Sequence, residues 1–286
     1  MRLLWKGFAA ASLIGALLPA TAGASVTIGN PLTRATDGGF GADEAVLVTT
    51  ASRDPSTRMS SPVNGTVVSW NVRGSTPTGG PNVLTLRVVR PSGTDFLGAG
   101  SSSPQTLPTV LTDLTRSFDT SIPIRIGDRI AIGGGPGAVV PATGLGDPSL
   151  PTSFKAYDAF ADGSPSGPPM GGGGGGELQF NAVVAPTNLI GVSGKTRNKR
   201  RGTAILHATL PNSGTLDVGG KLVKPQTVTA PAAGDLDVTL RPSRKAKRKL
   251  KRTGRASGKI ALTFTPAFGD PGTLKTPLRL IRKRRP

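Results

Sequence analysis

Apolar residues in this chain recur at every second position, in short runs closed by turn-forming residues. Gly65 to Arg73 puts Val68, Trp70 and Val72 on one side and Ser69, Asn71 and Arg73 on the other. That period of two marks a half-buried strand. Asn82 to Arg90 repeats it with Leu84, Leu86 and Val88, and Glu44 to Thr49 carries Val46 and Val48. Ile122, Ile124 and Ile126 line up next, Gly127-Asp128 breaks the run, and Ile130 and Ile132 resume it. Glycine at the first central position suits a type II′ hairpin there. Glu177 to Val184 reads as a closing strand, and nothing before it keeps a helical repeat for three turns. Glycine (40) and proline (26) exceed a fifth of the 286 residues, yet the alternation survives between them. The chain is therefore read as turn-rich β structure and not as disorder.

The alternation continues through the last hundred residues. Ala204, Leu206, Ala208 and Leu210 share a face. So do Leu216 and Val218, then Leu236, Val238 and Leu240, then Ile260, Leu262 and Phe264, with Leu278 and Leu280 last. About seven short strands in about 95 residues is the size of an immunoglobulin-like sandwich. One stretch departs from it. Ser243 to Lys259 holds nine Lys or Arg and no acid. Ser243 is a good helix N-cap, Ala246 and Leu250 are four apart on one face, and Gly254 suits the left-handed position that ends a helix. The stretch is read as a short basic crossover helix that buries a single large anchor, Leu250.

Charge divides the chain. Residues 187–286 carry 23 Lys and Arg against four acids, an excess equal to the whole formal charge of +19, whereas residues 1–186 carry 12 of each. Such asymmetry argues for a different partner for each part. The expected boundary is Ala185-Pro186-Thr187. Gly163 to Gly176, with six consecutive glycines, reads as a floppy loop within the first part, because six glycines lose much entropy on ordering. At the N-terminus, Arg2 and Lys6, an apolar run from Gly7 to Leu18, and Ala22-Gly23-Ala24 read as an export signal cleaved after Ala24. The 12-residue run is short for a bilayer span, and no later run is longer. The chain contains no cysteine, which removes disulfides, thiolate chemistry and Cys-ligated zinc.

The runs GTAILHATLPNSGTLDVGGK and LDVTLRPSRKAKRKLKRTGRASGKIALTFTPAFGDPGTLKTPLRL resemble a basic β-sandwich module found in exported actinobacterial proteins. The matching pieces are Gly202-Thr203-Ala204, Pro211 with Gly214-Thr215-Leu216, the crossover with Leu250 and Gly254, and Phe264-Thr265-Pro266. GTVVSWNVRG, LTLRVVRP and IPIRIGDRIAI in the first part resemble jelly-roll domains of similar exported proteins. The resemblance implies an architecture and brings no catalytic residue, cofactor or ligand.

Chemistry is sparse. His207 is the sole histidine and by alternation points outward beside Ile205 and Thr209; no Gly-x-Ser-x-Gly elbow accompanies it. A carboxylate pair for glycoside hydrolysis would come from Asp43, Glu44, Asp113, Asp119, Asp158, Asp162 or Glu177, none at a telling spacing. Asp128 is better explained by its turn. Asp158, Asp162 and Glu177 are also the candidates for a calcium site, without an Asp-x-Asp loop to support one. Six glycines without Gly-Lys-Ser/Thr do not make a phosphate loop. Trp70 and Tyr157 are the possible sugar-stacking rings, Trp70 read as core and Tyr157 as exposed.

The expectation is thus an all-β chain of two sandwiches, jelly-roll-like over residues 25–186 and immunoglobulin-like with the basic crossover over 187–286. Its expected role is an exported or envelope-associated, non-catalytic binding protein without cofactor or metal. Its partner would be an anionic wall polymer or another polyanion, bound through Lys199, Arg200, Arg201, Arg244, Lys247, Arg248, Lys251, Arg252 and Arg255. The alternative is a carbohydrate-binding jelly roll with an accessory basic domain, with a carboxylate-based glycosidase as a distant third.

Overall fold

The computed structural model describes residues 25–74, 82–107, 113–144, 153–173 and 176–283. The expected export signal and the last basic residues, Arg284 and Arg285, fall outside them. The described chain is nearly all β, with antiparallel strand pairing and one helix, Arg244–Thr253, a composition that fits the β-sandwich class.

Strands from Val26 to Pro186 pair only among themselves. A four-stranded sheet orders Val26–Gly29, Phe180–Pro186, Gly65–Arg73 and Thr115–Ile124. Facing it, a larger sheet runs from Gly171–Gly173 through Phe154–Asp158, Ala45–Thr49, Arg129–Gly134 and Asn82–Ser92 to Asp95–Ser101. Trp70, Phe180, Leu84, Leu86, Ile130 and Ile132 fill the space between them. The Gly-rich segment therefore lies between strands of this same region.

Four local expectations are corrected here. Val68 is an extra residue against the Phe180–Pro186 strand, where Val184 and Val183 face Val67 and Ser69, and this β-bulge rephases the Gly65–Arg73 strand. Val67 turns inward with Trp70 and Val72, and Val68 turns out to solvent. Gly127-Asp128 does not form a hairpin, since the strands on either side belong to different sheets. It is a corner: Asp128 N donates to Arg125 O at 3.0 Å, and Gly127 has φ +88° at the third position of the turn, which suits a type II geometry. Ile126, in that corner, is exposed. Tyr157 is fully buried. It stands opposite Val46, its ring meets Phe96 edge-on at 5.7 Å, and it joins a second cluster on the outer face of the large sheet with Val48, Val89 and Phe160. The Gly-rich segment is held where described: Pro165 bridges to Leu97, Ser166 Oγ accepts from Phe96 N, and Gly171–Gly173 pairs with Phe154–Ala156.

Residues 191–281 form two further sheets around a separate apolar cluster. Three strands, Gly191–Asn198, Thr203–Leu210 and Gly234–Leu240, make one; Gln226–Ala230, Gly214–Gly219, Arg255–Pro266 and Gly272–Ile281 make the other. The helix carries the chain from the first to the second. Its ends follow the sequence: Ser243 Oγ accepts from Ala246 N at 3.2 Å, and Gly254 closes it at φ +71°, donating to Leu250 O. Ala246 and Leu250 are its buried residues. Arg255 already belongs to the next strand, so the basic stretch is a helix followed by the start of a strand.

Reciprocal asparagines join the two regions. Asn64 N donates to Asn212 Oδ1 at 2.7 Å, and Asn212 Nδ2 donates to Asn64 O and Thr187 O. Asn212 is buried, so these bonds replace its lost hydration.

Candidate polyanion-binding site

The helix periodicity sorts its cations. At about 100° per residue, Ala246 and Leu250 face the core, Lys247 and Lys251 lie on one flank, and Lys245 and Lys249 on the other. Arg244, Arg248 and Arg252 form the outward ridge. The ridge is exposed, as is Arg255 beyond the cap.

The Lys247 and Lys251 flank borders a cavity of about 590 Å³. Arg201 enters it from the turn before the Thr203–Leu210 strand, Arg241 from the end of Gly234–Leu240, and Arg282 from the end of the last strand. Thr203, Thr239, Pro242 and Leu250 complete the lining, with no carboxylate among the described residues. Backbone bonds fix these chain ends together. Arg282 N donates to Gly254 O at 2.9 Å, Lys283 N to Lys199 O at 2.9 Å, and Gly202 N to Asn198 O at 2.8 Å. A second cavity of about 440 Å³, on the other side of the same turn, is lined by Arg197, Lys199, Arg200 and Lys283. The Arg197 guanidinium is anchored there on Arg279 O at 3.1 Å.

Three basic groups distant in sequence, Lys195 to Arg201, the cations of the helix, and Arg282 with Lys283, thus meet around these two cavities. Of the residues expected to bind polyanion, Arg201, Lys247 and Lys251 share the larger cavity, and Lys199 and Arg200 line the neighbouring one. Arg244, Arg248, Arg252 and Arg255 line neither. Arg241 carries no sequence motif, being an isolated cation at a strand end, whereas Arg282 opens the basic run Arg282-Lys283-Arg284-Arg285. A cavity of 590 Å³ is roughly 8 Å across, comparable with a Debye length of about 8 Å at physiological ionic strength, so the fields of its cations add. Asp217, Asp235 and Asp237 line neither cavity; they accept hydrogen bonds from Thr227, Thr209 and His207.

His207 does lie on the outer face of its sheet. Its Nδ1 is 2.6 Å from Asp237 Oδ1 and its Nε2 is 2.9 Å from Thr196 Oγ1. The order hydroxyl, imidazole, carboxylate resembles a hydrolytic triad, but Thr196 and Asp237 are exposed on an open sheet face. Strand pairing places Asp237 opposite His207, a cross-strand neighbour that one-dimensional alternation does not show.

Of the carboxylate candidates, Asp43, Asp113, Asp162 and Glu177 are engaged structurally, while Glu44, Asp119 and Asp158 are exposed. Asp113 binds Arg73, Asp162 binds Arg87, and Asp43 accepts from Gly137 N. Glu177 is buried and accepts from Ser52 Oγ and Arg53 N. It shares a cavity of about 270 Å³ with Asp54. Hydrogen bonds from Ser56 hold the Asp54 carboxyl below its ordinary range, the opposite of what a general acid needs. Among the described residues no three of His, Asp and Glu gather as a metal site, and Asp158, Asp162 and Glu177 are not brought together. Trp70 and Tyr157 are both fully covered, so neither ring can stack on a sugar as it stands. Among the described residues no helix is long and apolar enough to cross a membrane.

No protein-family model matches the chain, and no curated protein matches it significantly in sequence.

Proposed function

We propose that this is an exported, non-catalytic envelope or binding protein whose C-terminal region holds acidic polymers by charge. One observation carries the reading: five cations from four separate chain segments line a single cavity that has no carboxylate among its described residues. Clustering like charges opposes folding through self-repulsion, and a polyanion laid across the cavity relieves it. The reading divides the chain into a jelly-roll-like sandwich at 25–186 and an immunoglobulin-like sandwich at 187–286. Separate apolar clusters support that division, and so do sheets of three and four strands after residue 190. The carbohydrate alternative is left without its two aromatic candidates.

The test is binding of the protein to DNA, as a generic polyanion, and to a neutral glucan over a salt series. With six or more phosphates engaged, affinity for DNA falls about a thousandfold between roughly 50 and 200 mM salt. Replacing Arg201, Lys247, Lys251 and Arg282 with Gln lowers the logarithmic salt slope by about 0.9 for each phosphate that is no longer neutralised. Binding to the glucan alone, or a slope indifferent to the four changes, overturns the proposal.

A further inference from the structure

The other flank of the helix borders a different kind of space. The Arg255–Pro266 strand sends Ala256, Ile260, Leu262 and Phe264 into the core, and all four are buried. Gly258 is in phase with them but presents no side chain, and it is exposed. The missing side chain leaves an open groove of about 500 Å³ between the helix, the Gly220–Leu222 turn and this strand. Leu222, Ala246, Ala256 and Ile260 form an apolar floor, while Lys221, Lys245, Lys249, Lys259 and Lys275 surround it without any carboxylate among the described residues. No described neighbour fills the gap, since a Cβ placed on Gly258 would come no closer than 3.9 Å to Leu222.

The two features require different parts of one ligand. Water over an apolar floor is displaced favourably by hydrocarbon, at about 25 cal/mol per Å² buried. Lysine stems can extend the apolar walls while their ammonium groups stay at the water boundary. The volume lies within the range of about 300–1,000 Å³ typical of small-molecule sites. We propose that the groove binds a single-chain anionic amphiphile of the fatty-acid class, its chain along Leu222, Gly258 and Ile260 and its carboxylate among the lysines. Charge complementarity selects this occupant over an uncharged or cationic chain. The site lies across the helix from the Lys247 and Lys251 flank and stands independently of polymer binding.

The experiment titrates decanoate, below its micelle concentration, into the protein by calorimetry, with decyltrimethylammonium as the cationic control. Saturable one-to-one binding of decanoate alone is expected. Gly258→Leu supplies the missing side chain and weakens that binding at least tenfold while the protein stays folded. Lys245→Gln with Lys249→Gln weakens it as well, and carries the test should Gly258→Leu fail to fold. Lys247→Gln with Lys251→Gln leaves it unchanged. Equal binding of the cationic chain, a folded Gly258→Leu protein that binds normally, or loss of decanoate binding on changing Lys247 and Lys251 overturns the assignment.

Discussion

The two regions share strand chemistry and use charge in opposite ways. In the first, arginines are tied to carboxylates: Arg73 to Asp113, Arg87 to Asp162, Arg90 to Asp128. The Arg90 pair is bidentate at 2.9 Å and 2.9 Å, and Asp128 Oδ2 also accepts from Arg125 N, so one buried carboxylate pins the corner between two sheets. In the second region the helix is held by Leu250 and Ala246 with caps at both ends, and cations occupy its remaining faces. Carboxylates tie these arginines into the first region, whereas no carboxylate among the described residues lines the cavity beside Lys247 and Lys251 in the second.

The largest expected effect tests the second half of that comparison. Leu250→Ala costs about 2–5 kcal/mol, the range for a core leucine truncation, while Arg244→Ala and Arg248→Ala stay within about 0.5 kcal/mol. Urea midpoints measure both, and equal small effects would make the helix a loose appendage. Next comes Asp128→Asn, with an expected cost of about 2–3 kcal/mol. That is below the roughly 3–5 kcal/mol for breaking a fully buried pair, because the Arg90 side chain is one-third exposed. A cost under 0.5 kcal/mol, equal to that of Lys247→Gln, would erase the contrast between the regions.

Much of this was legible from residues in line. Ser243, Leu250 and Gly254 gave the helix with its caps, because helix signals are local. Leu84, Leu86, Val88 and the Ala204 to Leu210 series identified their inward faces, because the extra residues of the bulges beside them, Ala99 and Ser193, fall in the partner strands and leave their own alternation intact. Val68 was misplaced because a bulge is a property of two strands, and Ile126 because a corner and a hairpin share the same Gly-Asp signature. Tyr157 was misread from its polar neighbours Lys155 and Asp158, when Phe96 and Phe160 decide its burial. The basic site was legible as clusters but not as a cavity, since Arg241 and Arg282 join it only through the convergence of strand ends.

Acid sharpens the comparison with a smaller effect. Arg73 donates to both Asp113 oxygens, and Thr36 adds two further bonds, so the Asp113 carboxyl is held below its ordinary range. A depressed folded pKa contributes stability that is present above the unfolded value of about 3.9 and is lost as pH falls through the folded value. Arg73→Gln should therefore cost on the order of 1 kcal/mol at pH 7, as for a partly exposed pair, with the gap to the native protein closing well below pH 4. Lys247→Gln should show no such closing gap, because no described carboxylate lines its cavity. A difference between Arg73→Gln and native protein that stays constant down to pH 2 would place the role of Arg73 in packing instead.

The smallest effect concerns a polar group that belongs to neither pattern. The Tyr157 hydroxyl is buried and has no hydrogen-bond partner among the described residues, and burial together with the charge of Asp95 pushes its phenol above the ordinary range. Its ring contributes through Phe96 and the outer cluster, not through the hydroxyl. An unsatisfied buried polar group costs about 1–3 kcal/mol in desolvation, whereas an isosteric apolar replacement avoids that cost. Tyr157→Phe keeps the ring and deletes the orphan oxygen, so stability should hold or rise by up to about 1 kcal/mol. Tyr157→Ala should instead lose about 3–5 kcal/mol, as aromatic core truncations do. Urea midpoints of the two variants separate ring from hydroxyl. A loss above about 1 kcal/mol in Tyr157→Phe would show that the hydroxyl is hydrogen-bonded in solution, and that the outer cluster, like the corner at Asp128, depends on a buried polar contact.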